Sequence, residues 1–195
     1  MSDPVIDLGP ATRTVADVVR KVSDDQLAAP TPCPDYTVAD LLDHIGGLAL
    51  AFTGAARKQP LDGAGEGHSE RLAPGWRDQI ADRLDELAEA WRDPAAWTGT
   101  TAAGGVDLAG DEAGRVAINE VVTHGWDLAV ATGQEYAVDP ASVAAATEFV
   151  SLFSGPGTEE MRGDAFGPEV SPPADASALE RLVALNGRDP RWTSD

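Results

Sequence analysis

Apolar residues recur at helical spacing in four long segments of this chain. Val15, Val18, Val19 and Val22 predict a first helix over 10–22, with Pro10 in its first turn, where a missing N–H is harmless. Thr37, followed three residues later by Asp40, forms a variant capping box. Leu41, Leu42, Ile45, Leu48, Ala49 and Phe52 continue from it, so a second helix is predicted over 37–57. Trp76, Ile80, Leu84, Leu87 and Trp91 trace one face of a third, over 74–92, whose opposite face is charged as a solvated surface is. The fourth, over 112–132, stops at Gly133. Its pattern turns Val116 or Ala117, Glu120, Val121, His124, Leu128 and Ala131 inward.

Two further helices are predicted, over 140–154 behind the cap Asp139 and over 177–186 behind Ser177-x-x-Glu180. Breaks lie between these segments. Pro30, Pro32 and Pro34 forbid a helix before Tyr36. The Gly-rich run from Gln59 to Ser69 reads as a flexible loop, and 95–111 as a loop or small β-hairpin. The expected architecture is all-α: one domain over 1–195, a four-helix bundle with short extra C-terminal elements.

Composition changes that picture little. An apolar share of 43% and a charged share of 24% are ordinary for a globular protein. The net charge of −19 argues against nucleic acid or an anionic membrane as partner, since both reward basic stripes. Cys33 is the one cysteine, which excludes an internal disulfide and a multi-cysteine zinc site. With no signal peptide read and no run approaching ~20 apolar residues, the expectation is a cytoplasmic protein without a membrane span.

The chemistry-bearing stretch is Glu120-Val121-Val122-Thr123-His124-Gly125-Trp126-Asp127. On a helix, Glu120 and His124 stack one turn apart on one face and can hold one metal ion together. A carboxylate on an inward face needs a partner in any case. The third ligand must be one of the two other histidines, His44 or His68. His44 lies at the edge of the second helix's apolar face, whereas His68 sits in the Gly-rich loop, where solvation is the ordinary fate. Two imidazoles and one carboxylate leave open positions, as in a catalytic site, and suit Zn²⁺, with Ni²⁺, Fe²⁺ and Mn²⁺ not excluded. The competing reading is an ion pair, or a core histidine bonded to Glu120. Asp127 either orients a ligand or is a solvated helix residue. Cys33, among prolines, reads as a small buried thiol.

Several segments jointly resemble the mycothiol-dependent maleylpyruvate isomerase N-terminal-domain family. They are Thr31-Pro32-Cys33-Pro34-Asp35-Tyr36-Thr37-Val38 with Leu41, Leu42 and His44, then Glu120-x-x-x-His124-Gly125-Trp126-Asp127-Leu128-Ala129. The tail, with Phe166-Gly167-Pro168 and Gly187-Arg188-x-Pro190, resembles a short subgroup of that family. The resemblance implies a DinB-like bundle binding a divalent metal, usually zinc, through His44, Glu120 and His124. It also implies mycothiol as a thiol cofactor and a small electrophilic substrate, hence a thiol S-transferase or an isomerase. Maleylpyruvate isomerases proper carry a further C-terminal domain that supplies a substrate-binding arginine. Only about 60 residues follow the fourth helix here, and Arg188 and Arg191 are the late arginines near a matching motif. The rival readings are a metal-binding bundle without chemistry and a metal-dependent hydrolase; a homodimer is compatible with any of them.

Overall fold

The computed structural model describes residues 6–61, 65–162 and 166–194. Parts of the loop and tail read above, at 62–64 and 163–165, lie outside the described residues, as does the N-terminal stretch 1–5. Four long helices, α1 (Gly9–Lys21), α2 (Val38–Ala56), α3 (Trp76–Ala90) and α4 (Gly110–Ala131), form the body. α1 and α2 each pack against both α3 and α4, so the order around the bundle is α1, α3, α2, α4. Val15, Val19, Leu41, Leu42, Leu84, Leu87, Ile118 and Leu128 are fully buried between them. That is the apolar stripe each periodicity required. At the N-terminus of α2, Thr37 accepts from the Asp40 N–H while the Asp40 side chain accepts from the Thr37 N–H, so the capping box forms.

The segment left open between loop and hairpin is a hairpin. β1 (Thr100–Ala103) pairs antiparallel with β2 (Val106–Ala109), Thr100 opposite Ala109, and the pair leans on α2 and α4. It runs straight into α4, where the Glu112 carboxylate accepts the Ala109 N–H at 3.0 Å. α4 thus starts two residues before the pattern suggested. α5 (Pro140–Ser151) packs on α4 and ends before Phe153, which instead stacks with Phe149 and Phe166. A short α6 (Glu159–Arg162), absent from the sequence reading, carries the buried Arg162. Its guanidinium donates to the carbonyls of Phe153, Gly167 and Leu185, tying the chain after α5 to the end of α7 (Ala178–Leu185).

The amphipathic picture fails on α4. Every residue from Val122 to Ala129 is buried, while Val121, expected inward, is only partly so; of the alternatives Val116 and Ala117, Ala117 is the buried one. The reason is position: α1 and α2 cover one side of α4, and α5 and α7 the other. A helix walled on both sides has no solvent stripe for a 3.6-residue period to report. α2 is long and apolar enough to cross a membrane by length and composition, contrary to the sequence expectation, yet 67% of that stretch is buried inside the protein.

Candidate metal centre

α4 presents Glu120, His124 and Asp127 on successive turns, and α2 faces it with His44. The Nε2 atoms of His44 and His124 lie 3.2 Å apart, and the His124 Nε2 lies 3.1 Å from the Glu120 carboxylate. One donor atom from each of the three residues falls within 4.8 Å of the other two. Of the two candidate third ligands, the fold brings His44 to this point. His68 lines the same cavity but faces Glu66 at 3.7 Å, outside the cluster.

The opposite edge of each imidazole is already assigned. His44 Nδ1 donates to the Gly65 carbonyl at 2.6 Å, and His124 Nδ1 donates to the Asp127 carboxylate at 3.0 Å. Both partners only accept, so each Nδ1 carries its proton and each neutral ring turns a lone pair at Nε2 toward the other. With the Glu120 oxygen, three acceptors then crowd one point. Such a set is repulsive unless a proton or a cation lies among them. Without a cation, His124 takes that proton. Burial alone would lower its pKa, but hydrogen bonds to Asp127 and Glu120 outweigh burial and lift it to about 9. Burial, reinforced by the charge on His124, pushes His44 down to about 4. Glu120 stays ionised: burial works against it, and the hydrogen bond and charge of His124 prevail.

The donor set also passes a test of size. Ligand atoms about 2.0–2.1 Å from a tetrahedral zinc stand roughly 3.3 Å apart, close to the two separations above. Two neutral imidazoles, each aimed by a fixed hydrogen bond, and a carboxylate are what a borderline cation takes.

Sequence reasoning left Asp127 undecided and could not place Arg188. The structure joins them. Asp127 is 0% exposed, and Arg188 donates to it through Nε at 3.3 Å and Nη2 at 3.1 Å. Burial would raise the Asp127 pKa, but the Arg188 charge and the His124 hydrogen bond hold it below the usual range. Arg188 Nη1 donates to the Asn186 carbonyl at 2.7 Å, which aims the guanidinium. Gly187, at φ +83°, closes α7 in a left-handed turn that brings Arg188 back toward α4. Arg191, by contrast, is exposed and lies off the site.

A second tie went unread. Asn119 and Asn186, both 1% exposed, exchange two amide hydrogen bonds of 3.1 Å. This pair docks the C-terminal segment on α4 one residue before Glu120. The signal available in the sequence was a lone asparagine beside an inward glutamate, too common to single out.

The loop expected to be flexible is held where it is described. Gly67 N–H donates to the Tyr36 hydroxyl, His68 N–H to Asp43, and Ser69 N–H to Asp40. At Gly67 a Cβ would stand 2.1 Å from the Asp40 carbonyl oxygen, so only glycine lets the loop backbone lie against α2. Gly67→Ala is expected to lift the loop away, free the His44 Nδ1 bond to Gly65 and weaken metal uptake by about tenfold. Zinc titration of the variant checks this, and an unchanged affinity would show that His44 needs no such brace.

Above the donor cluster opens a cavity of about 1260 Å³, walled by α2, α4, the hairpin, the Pro32–Tyr36 turn and the Asn186–Arg188 turn. Cys33 lines it, half-buried. Burial raises its thiol to about 11, an effect the Arg188 charge only partly offsets. A thiol held neutral is no nucleophile at pH 7. Cys33 is expected to react with an aromatic disulfide at pH 8 about a hundredfold slower in the native protein than in urea. Equal rates would contradict the burial argument.

A helical body carrying a His, His, Glu cluster at the floor of a cavity defines a class of candidate metal-binding bundle. The comparisons narrow it. Residues 8–129 match the family model of the mycothiol maleylpyruvate isomerase N-terminal domain, and the chain belongs to that family. The matched region holds His44, Glu120, His124 and Asp127, but not Arg188. Two uncharacterized proteins of Mycobacterium tuberculosis, from strains CDC 1551 and H37Rv, are each 32% identical to the chain over 200 residues. Each alignment covers 97% of this chain and 100% of the relative. No solved structure matches the chain.

Proposed function

We propose that the protein is a metal- and thiol-dependent enzyme on a DinB-like bundle, a thiol S-transferase or isomerase acting on a small electrophile. His44, Glu120 and His124 hold the cation, and zinc suits the two nitrogens and one oxygen best. The thiol is mycothiol, as family membership suggests. The observation that carries the reading is the convergence of three donor atoms, from two facing helices, at the floor of a large cavity.

A bound divalent cation would supply Lewis acidity, lowering the pKa of a thiol or water at an open coordination position. The residues of the chain do the rest. Asp127 fixes the tautomer of His124 and Gly65 that of His44, so both Nε2 lone pairs are presented. Glu120 cancels one unit of the cation's charge. Cys33 stays protonated and does not compete as nucleophile. Val106 and Leu108 of the hairpin give one wall of the cavity an apolar lining.

Protein purified without chelator is expected to carry about one divalent ion per chain, and His124→Ala to lose it, by elemental analysis. An ion-free wild type, or an affinity unchanged in His124→Ala, sinks the metal site. Conjugation of an electrophile panel with and without mycothiol tests the reaction; rates that do not depend on the thiol remove the transferase reading.

A further inference from the structure

The charge of the cavity restricts what enters it. Its ionisable lining includes the carboxylates of Asp35, Asp40, Glu66 and Glu120. Against them, among the described lining residues, stand the Arg188 guanidinium and, in the metal-free protein, protonated His124, whose charge is paired with Glu120. Arg188 is largely committed within the fold: Nε and Nη2 are bonded to Asp127, Nη1 to the Asn186 carbonyl, and its side chain is 13% exposed. Asp127 also cancels its charge. Glu120 belongs to the donor cluster, and Asp40 is ionised and bonded to the Thr37 and Ser69 N–H groups, so it stays a fixed negative charge. Asp35 and Glu66 are exposed at the rim. A divalent cation at the three donors offsets two of these charges, and a thiolate bound to it takes one of the two back. A ligand approaching the site therefore meets a net negative cleft, where low-dielectric walls focus the field.

We propose that the cavity selects uncharged or cationic thiols and electrophiles and rejects those bearing a carboxylate, because its fixed charges are acidic and the charge of its described lining arginine is paired with the buried Asp127. The proposal rests on the metal–thiol reading above and deepens it. It sets this chain apart from an enzyme that recognises a dicarboxylate through a free arginine.

The test uses the cobalt-loaded full chain, in which sulfur bound to the metal gives a charge-transfer absorption band. Three small thiols of similar size are titrated: cysteamine, 2-mercaptoethanol and 3-mercaptopropionate. Each fixed carboxylate is expected to disfavour the anionic probe about two- to threefold at low salt. In Asp35→Asn/Glu66→Gln the affinity for 3-mercaptopropionate, taken relative to that for 2-mercaptoethanol, should rise about fivefold, and that for cysteamine should fall. Comparing each probe between the two proteins removes differences in thiol acidity. Raising the salt should move the wild type the same way. Relative affinities that change with neither substitution nor salt overturn the charge rule alone. Failure to bind cobalt, or no band with any of the three thiols, overturns the metal–thiol reading and the proposal with it.

Discussion

Arg188→Met is expected to lower stability by about 3 kcal/mol and zinc affinity by 10- to 100-fold. Methionine fills much of the volume, so the loss comes from charge and hydrogen bonding. Asp127 is 0% exposed and held by two partners, Arg188 and His124. Without the guanidinium, a buried carboxylate keeps only the His124 N–H, and burying an underpaired charge is expensive. No longer held from its far side by Arg188, the carboxylate fixes the His124 ring less firmly, so Nε2 loses part of its preset aim at the cation. Arg188→Lys restores a charge without the two-pronged donor geometry and should fall between the two. Urea unfolding with chelator present measures the first effect, and competition for zinc with a chromophoric chelator the second. A variant that is less stable but binds zinc as the wild type does would reduce Arg188 to a structural role.

Metal removal and pH are expected to act together. His124 has its pKa raised to about 9 from an unfolded value near 6.5. Its contribution is therefore fully present below about pH 6.5 and lost as pH rises through about 9, about 3 kcal/mol in all. His44 is lowered to about 4, so its contribution is present above about 6.5 and lost as pH falls through about 4. Glu120 and Asp127, both lowered, steepen the acid side. From these groups the metal-free protein is most stable near pH 6.5. Zinc takes the place of the His124 proton, so loading should release about one proton per chain at pH 7 and flatten the alkaline decline. Zinc at a thousandfold excess over its Kd adds about 4 kcal/mol. Tm against pH, with and without zinc, reads the curve, and a pH indicator reads the proton. A metal-free protein whose Tm does not fall between pH 7 and 9 would contradict a protonated His124.

The helices were legible because their causes are local. The Thr37–Asp40 and Ser177–Glu180 boxes and the Trp76 to Trp91 stripe state their structure within a few residues. Glu120 and His124 were legible for the same reason, since one helical turn separates them. His44 was reached by counting histidines. Legibility failed on α4 beyond His124, where burial on both sides erased the period, and in the loop that Gly67 seats on α2.

The sequence by itself determined a largely helical chain, the ends of its main helices to within about two residues and two candidate ligands at turn spacing, because backbone hydrogen bonding and amphipathic burial act over neighbours. Only the tertiary structure decided which histidine faces that pair, and that Asp127 is braced by Arg188, 61 residues away. It alone joined Asn119 to Asn186 across 67 residues. Such pairs leave no trace in any local period. They form because a buried carboxylate or amide must be satisfied, and the partner is whichever distant group the packing delivers.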